Sequence, residues 1–214
     1  ELGLVAFGSF EELTSKAARV LAYTSEPFEF THGGWPANVR LVGPGLWEPP
    51  ADAEHVASTR PLVLVTCSTE FQDDGALIEA ALAALEGEDV DVIATTAAID
   101  PAKFRVPQNA TVLRYVAHGP LLRRAVAVVC HGGMGITQKA LAAGVPVCVV
   151  PWGRDQLDVA KHVEIAGAGV SVPRGRLTVV ALPDAGRRAR SILGRLPASS
   201  RIGGCRRDPG DRGS

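Results

Sequence analysis

From residue 61 onward, the chain alternates short unbroken apolar runs with segments of helical composition. The apolar runs predict strands over 62–67, 90–96, 110–116, 125–130, 145–150 and 169–172. The segments between them predict helices over 75–85, 120–124, 137–143 and 155–166. Apolar runs without alternation are typical of strands buried on both faces, and strands that alternate with helices pair in parallel. We therefore predict an α/β fold with a doubly wound parallel sheet of about six strands.

The first sixty residues show a different pattern. Apolar residues at helical spacing predict a helix over 10–22, with Ser9 as its N-cap. The stretch that follows is rich in proline and glycine and leaves room only for a short strand over 39–42. We place a domain boundary after this strand, because domain linkers concentrate these residue types.

The composition is that of an ordinary globular protein. Of the 214 residues, 46% are hydrophobic and 21% are charged, and the net charge is -1. This balance gives no argument for nucleic-acid binding. Charge is uneven, since eight arginines from Arg187 onward face only Asp208 and Asp211. We interpret 178–214 as a basic, poorly ordered tail, with an arm for nucleic acid or acidic lipid as the alternative.

The cysteines and the length of the apolar runs indicate the cellular compartment of the protein. Cys67, Cys130 and Cys148 lie in apolar runs, and the four cysteines include no Cys-x-x-Cys pair. This predicts reduced thiols in a cytoplasmic protein. No apolar run reaches the ~18 residues that a membrane span needs, so we expect no transmembrane segment. Peripheral association with a membrane stays open.

The most informative segment is 126–156, VAVVCHGGMGITQKALAAGVPVCVVPWGRDQ. The predicted fourth strand leads into His131, and Gly132, Gly133 and Gly135 follow where the next helix opens. Missing side chains let a ligand approach the amides of the helix end, and the helix dipole favours an anion there. A diphosphate fits this pattern without a metal. A plain tight turn between strand and helix is the alternative.

Other phosphate-binding and metal-binding patterns do not match. The segment is not G-x-x-x-x-G-K-[ST], and it is not the G-x-G-x-x-G pattern of a first strand unit. A dinucleotide module of the dehydrogenase type is therefore a remote alternative. The chain has no paired acids or histidine clusters at metal spacing, so we expect no metal site.

Two further loops follow predicted strands at the same edge of the sheet. Asp155 and Gln156 can hydrogen-bond adjacent sugar hydroxyls, and Trp152 offers an apolar face. The alternative is that Asp155 only caps a helix. The loop Tyr115–His118, which includes Val116, can supply backbone amide and carbonyl groups to a planar base. The alternative is that it only connects the strand to the next helix.

The segment HGGMGITQKALAAGVPVCVVPWGRDQ resembles the signature of nucleotide-sugar-dependent glycosyltransferases with two Rossmann-like domains, the GT-B type of family 1. The similarity is to the subgroup that acts on macrolides, polyketides and glycolipids, and it runs from about residue 37 to 177. It implies a Rossmann-like, donor-binding carboxy-terminal half. Residues 1–43 are expected to be a remnant of the acceptor domain with the start of the linker, and residues 44–60 the interdomain linker. The donor domain is expected over 61–177 and the tail over 178–214.

The resemblance also implies roles for individual residues. The diphosphate is expected at His131, at the glycine-rich turn and at the amides up to Thr137, the sugar at Asp155 and Gln156, and the base at the loop Tyr115–His118. The turn after the first strand is expected to border the phosphates. The expected donor-binding residues are Ser68, Thr69, Tyr115, Val116, His118, His131, Gly132, Gly133, Met134, Gly135, Ile136, Thr137, Trp152, Asp155 and Gln156. Family members frequently have a ribose-binding Glu where this chain has Lys139, so a phosphate contact is expected for this lysine.

Two functional hypotheses follow from the resemblance. The first is the donor-binding part of an inverting glycosyltransferase that moves a hexose from a UDP- or dTDP-sugar to a hydroxyl of a hydrophobic small molecule or lipid. No catalytic residue is expected here, because the family's catalytic base belongs to the acceptor domain. The second is an inactive remnant that at most binds a nucleotide sugar or a partner protein. In both, the missing domain would leave apolar surface exposed, which favours self-association.

Overall fold

A six-stranded parallel sheet forms the centre of the chain in the computed structural model, which describes residues 8–26, 28–30, 34–48, 59–69 and 74–176. The sheet strands are β3 (Leu62–Thr66), β4 (Asp91–Thr95), β5 (Ala110–Leu113), β6 (Ala125–Cys130), β7 (Val147–Val149) and β8 (Gly169–Ser171). Their connecting helices are α2 (Gly75–Leu85), α3 (His118–Leu122), α4 (Met134–Ala142) and α5 (Gln156–Ile165). The predicted α/β class and six parallel strands are confirmed.

Burial on both faces of the sheet explains the unbroken apolar runs. All five residues of β3 are buried, and successive side chains point to opposite faces. Val63 and Val65 join the core under α2, whereas Leu62 and Leu64 join the core under α3, α4 and α5. A strand that serves two cores needs apolar residues at every position, and this is the pattern in the sequence.

The order of the strands creates a crevice in the middle of the sheet. The order is β5-β4-β3-β6-β7-β8, so the chain runs outward from β3 on one side and outward from β6 on the other. The loops that leave β3 and β6 therefore diverge, which opens a crevice at the carboxyl ends of these neighbours. The glycine-rich turn follows β6 and the Ser68–Thr69 turn follows β3, so both lie at this crevice.

The amino-terminal segment differs from its prediction. Helix α1 ends at Ser15 (Phe10–Ser15), and residues 20–22 of the predicted helix form strand β1 (Val20–Ala22) instead. This strand pairs in parallel with β2 (Val39–Leu41), a pairing that local helical spacing does not reveal. The expected cap is confirmed, because the Ser9 hydroxyl accepts a hydrogen bond from the Glu12 amide at 3.0 Å.

The chain before the predicted boundary packs on the domain after it. Phe28 is 3% exposed and belongs to the core under α4 and α5. The Gln138 side-chain amide of α4 donates to the Tyr23 carbonyl at 2.5 Å. Most of the predicted linker, over 49–58, and the predicted tail, over 178–214, lie outside the described residues. The domain division therefore stays a prediction.

Candidate functional site

A pocket of about 280 Å³ lies in the crevice at the carboxyl ends of the central strands. Five elements contribute to its wall: the turn after β3, the loop after β5, the turn after β6, helix α4 and the segment before residue 49. The lining residues include Thr66, Thr69, Tyr115, Val116, His118, His131, Gly133, Gly135, Ile136, Lys139 and Glu48. Most of the expected donor-binding residues are thus brought to one cavity.

The glycine-rich turn delivers the opening of α4 to this pocket. Helix α4 begins at Met134, three residues earlier than predicted, and its N-cap Gly133 has no side chain to accept from the opening amides. The first amides of a helix have no partner within it, so they are available to a ligand. Gly132 has a φ of 94° and lies against β7, where a β-carbon would come within 2.7 Å of Val149 Cγ1. Glycine is therefore required at this turn.

His131 lies in the wall of the pocket beside the helix opening. The residue is 8% exposed, and its Nε2 lies 2.5 Å from the position that a β-carbon on Gly133 would take. Burial lowers the pKa of the imidazole, while Asp74, the Thr66 carbonyl and Asp155 act in the opposite direction. The buried Nδ1 makes no hydrogen bond of standard geometry with the described residues. A largely neutral imidazole with spare hydrogen-bonding capacity therefore faces the helix end.

The turn after β3 is held by a buried acid that the sequence analysis missed. Asp74 is 1% exposed, and its Oδ2 accepts a hydrogen bond from the Ser68 amide at 2.6 Å. This bond fixes the Ser68–Thr69 turn against the start of α2. Asp directly before a helix is a sequence signal for a cap, yet Asp74 makes no side-chain bond to α2 and holds the turn instead.

A second group that the sequence analysis missed is Glu48. Its Oε1 accepts from the His118 amide at 2.9 Å and from Lys139 Nζ at 3.0 Å, and its Oε2 accepts from the Gly119 amide at 2.7 Å. Burial raises the pKa of the Glu48 carboxyl, but Lys139 and the two amides outweigh burial and leave this pKa below its usual value. An ionised carboxylate from the predicted linker thus borders the pocket.

His118 is also held in the neutral form. Burial lowers its pKa to about 4; Glu48 opposes this shift and Lys139 adds to it. The ring Nε2 lies 3.2 Å from Thr95 Oγ1, which is hydrogen-bonded to Thr66 Oγ1 at 2.8 Å. This chain of polar groups crosses the carboxyl ends of β4 and β3 and links the predicted base loop to the crevice.

The loop with the expected sugar ligands lies beside the pocket rather than in its lining. Gln156 is 2% exposed, and its side-chain oxygen accepts from the Trp152 amide at 2.7 Å and from the Gly153 amide at 3.1 Å. Asp155 is exposed at the N-cap of α5 and makes no side-chain cap bond. The guanidinium of Arg174 lies 5.0 Å from the Trp152 ring centroid. Of the expected sugar ligands Asp155 and Gln156, only Asp155 has an exposed side chain, and its negative charge raises the pKa of His131.

Thr137 and Ser68 are also not among the residues that line the pocket. Thr137 is fully buried, with its Oγ1 3.9 Å from Cys130 Sγ, so its hydroxyl faces the core. Ser68 is 6% exposed and is fixed through its amide. The donor-binding roles of all the expected residues, including those that line the pocket, stay predictions.

The described residues contain no group of three His, Cys, Asp or Glu side chains placed to hold a metal ion. They also contain no helix that is long and apolar enough to span a membrane. Cys67, Cys130 and Cys148 are buried free thiols. Burial raises their pKa values to about 12, 11 and 12, so they stay protonated.

Comparison with known proteins identifies the family. Residues 77–193 match the C-terminal domain of erythromycin biosynthesis protein CIII-like proteins. The chain belongs to this EryCIII-like C-terminal domain family. The match begins within α2, includes every later element up to β8 and continues to residue 193, beyond the described residues.

Proteins named as glycosyltransferases are among the relatives of this EryCIII-like domain. The chain is 37% identical over 178 residues to the 4'-demethylrebeccamycin synthase of Lentzea aerocolonigenes, a match over 80% of this chain and 42% of that protein. The fold is similar to that of the calicheamicin glycosyltransferase CalG4, with a TM-score of 0.67 and 22% identity over 83% of this chain and 47% of that one. It is also similar to the glycosyltransferase VinC in complex with DTDP, with a TM-score of 0.54 and 26% identity over 79% of this chain and 46% of that one.

The EryCIII-like domain thus corresponds to the carboxy-terminal half of the GT-B fold, as the resemblance in the sequence implied. The chain spans less than half the length of the relatives named above. Both strands that border the crevice, β3 and β6, belong to this chain.

Proposed function

We propose that the crevice pocket binds the nucleoside diphosphate of a nucleotide-sugar donor. The observation that carries the proposal is the meeting of His131 with the opening of α4. The imidazole is 8% exposed, and its buried Nδ1 makes no hydrogen bond of standard geometry with the described residues. It borders the first amides of α4, which the side chain of Gly133 cannot cap. Amides at a helix start and a nearby imidazole favour an anion with several acceptor oxygens, and a diphosphate is such an anion.

The other walls of the pocket suit the remaining parts of a nucleotide sugar. Tyr115 is 64% exposed at the mouth, on the loop expected to meet the base. Beside the pocket, the exposed Asp155 carboxylate, which acts electrostatically on His131, is an acceptor for sugar hydroxyls. Gln156 supports this loop through its bonds to the Trp152 and Gly153 amides. Its contribution to sugar binding is therefore to hold Asp155 in place.

For the whole protein we propose inverting transfer of a hexose from a UDP- or dTDP-sugar to a hydroxyl of a hydrophobic small molecule or lipid. The acceptor hydroxyl attacks the anomeric carbon, the carbon–oxygen bond to the diphosphate breaks, and negative charge grows on the departing diphosphate. His131 and the α4 amides stabilise this charge as it develops. A single donor placed in this way contributes about 3 kcal/mol to lowering the barrier. The base that takes the hydroxyl proton is assigned to the acceptor-binding half of the enzyme.

We propose that donor binding needs no metal, because backbone amides and His131 supply the donors that the diphosphate requires. Calorimetry with UDP, with and without EDTA, tests this point: equal affinity is expected, and a loss in EDTA would refute it. The buried free thiols agree with a cytoplasmic protein, which is the location that we propose.

The central test is calorimetric titration of the purified chain with UDP, dTDP and NAD. UDP or dTDP is expected to bind and NAD is not. His131→Gln is expected to weaken UDP binding about tenfold or more, because it removes a hydrogen bond to a charged group. Transfer from UDP-glucose or dTDP-sugars by this chain alone is expected to be slight or absent. Undiminished binding by the variant would remove the diphosphate assignment.

The alternative is an inactive remnant that at most binds a nucleotide sugar or a partner protein; in its extreme form it binds no donor and only associates with other chains. Tyr23, Leu46 and Trp47 are 62%, 52% and 76% exposed, and they form the apolar surface that would support this association. Sedimentation separates the two readings. Concentration-dependent self-association without UDP binding supports the remnant, whereas UDP binding by a monomer supports the donor domain.

A further inference from the structure

The loop Trp152–Gln156, which presents Asp155, is contacted by the segment that follows β8. This segment forms a short helical turn over Arg174–Arg176, and the guanidinium of Arg174 lies over the Trp152 ring, 5.0 Å from its centroid. A cation within about 6 Å of the centroid is attracted by the electron-rich face of a tryptophan ring. The end of the described chain therefore contacts the loop that carries the expected sugar ligands.

The sheet fixes both partners of this contact. Trp152 is partly buried and packs against the core under α2, to which Val172 also belongs. The Val172 amide donates to the Val149 carbonyl of β7 at 2.8 Å, so the pairing of β8 with β7 continues to this residue. Arg174 follows two residues later. Its position over the ring is therefore set by strand pairing and by packing in the core.

The backbone of the same loop is strained directly before Asp155. Arg154 has a φ of 58°, in the left-handed region, which costs free energy for a residue with a β-carbon. Such a backbone persists where the surrounding contacts hold it. The Gln156 side chain accepts from the amides of Trp152 and the following glycine at 2.7 Å and 3.1 Å. These bonds and the contact with Arg174 both act on Trp152, at the start of the strained turn.

We propose that Arg174 is a positioning residue for the donor sugar: it holds the Trp152 ring and thereby keeps the loop in the conformation that presents the Asp155 carboxylate. The inference rests on the proposed function, because it takes Asp155 as the sugar ligand. It assigns a role to the segment after β8, which contains none of the expected donor-binding residues. Because Arg174 acts through Trp152, its effect on sugar binding is limited to the strength of their contact.

The test is the ratio of the affinities for UDP-glucose and UDP, measured by calorimetry on the 214-residue chain. Arg174→Ala is expected to weaken UDP-glucose by about twofold to fivefold, the factor that corresponds to the ~0.5–1 kcal/mol of an exposed cation–π contact. The affinity for UDP is expected to stay the same, because UDP has no sugar for Asp155 to bind. The ratio therefore falls by the same factor.

Two further variants and a spectroscopic signal separate this role from a general effect on folding. Arg174→Lys keeps a cation over the ring and is expected to recover most of the ratio. Arg176→Ala is the matched control, because Arg176 is an exposed arginine of the same turn, and it is expected to leave the ratio unchanged. In a Trp35→Phe, Trp47→Phe background, Trp152 is the remaining tryptophan. Its fluorescence is expected to change with Arg174→Ala and not with Arg176→Ala.

The outcomes distinguish this inference from the proposed function. If the unaltered chain binds UDP and the ratio does not respond to Arg174→Ala, the positioning role alone is wrong. An equal loss in Arg176→Ala would assign the effect to the charge of the segment and would also overturn it. The same holds if Arg174→Lys recovers nothing, since a lysine keeps the cation. If the unaltered chain binds neither ligand, the diphosphate site itself fails, and this inference fails with it.

Discussion

The imidazole of His131 lies directly over Gly133, with Nε2 2.5 Å from the position of a β-carbon on that glycine. This contact joins the end of β6 to the N-cap of α4. Any side chain at Gly133 would have to displace either the imidazole or the opening of the helix. The requirement for glycine here therefore comes from packing against His131 as much as from ligand access.

Gly133→Ala is expected to weaken UDP binding about tenfold or more, because displacing His131 removes a hydrogen bond to the diphosphate. Calorimetry measures the affinity. The matched control is Gly153→Ala, since a β-carbon at Gly153 has no atom within 4 Å. Equal affinity of the two variants would show that the position of His131 does not matter for binding.

Substitutions of Gln156 and Asp155 are expected to differ in their effects. The Gln156 variant should lower the stability of the fold, whereas the Asp155 variant should mainly weaken binding of the sugar. Gln156→Ala removes the bonds to the Trp152 and Gly153 amides, which cap the start of α5, and should cost about 1–2 kcal/mol in urea denaturation. Asp155→Ala removes an exposed side chain without a cap bond and should cost less than about 0.5 kcal/mol.

The same Asp155→Ala variant is expected to weaken UDP-glucose more than UDP, because only UDP-glucose carries the sugar. Paired titrations with the two ligands give this ratio directly. A ratio equal to that of the unaltered chain would argue that Asp155 is not a sugar ligand.

Stability is expected to fall as the pH drops from about 6.5 to about 4. Burial lowers the pKa of His118 to about 4 in the folded chain, against 6.5 for the unshifted group. The unfolded chain therefore binds more protons in this window, so the contribution of neutral His118 is complete above pH 6.5 and is lost toward pH 4. The size is at most about 3 kcal/mol.

Urea denaturation between pH 4 and 7 measures this dependence. His118→Gln removes the titrating group, so its free energy of unfolding should change less steeply over the window. The prediction is contradicted if the unaltered chain and the variant have the same slope.

UDP binding is expected to be accompanied by proton uptake at His131. Burial holds the pKa of the free imidazole below its usual value, and an adjacent anion raises it. Calorimetry near pH 6 in buffers of different ionisation enthalpy measures the protons exchanged. His131→Gln should take up fewer protons than the unaltered chain; an identical uptake would place the titrating group elsewhere.

Much of the fold could be predicted from local pattern. The predicted bounds of α2 and β6 match the structure, and all six strands of the main sheet were expected, because their apolar runs are buried on both faces. The helix predicted over 10–22 was wrong in its second half. The spacing of apolar residues there is compatible with a helix or a strand. The segment forms a strand because Val20 pairs with Val39 of β2.

The candidate site was predictable where its chemistry is local in sequence. A strand, a histidine, three glycines and a helix are consecutive in the chain, so their meeting at a helix start follows from the sequence alone. Only the tertiary structure placed Glu48 beside Lys139, 91 residues away, because such a contact depends on how separate elements pack. Packing also turned Thr137 toward Cys130 and Gln156 toward its own loop, since the orientation of a helix about its axis is set by the core that it covers.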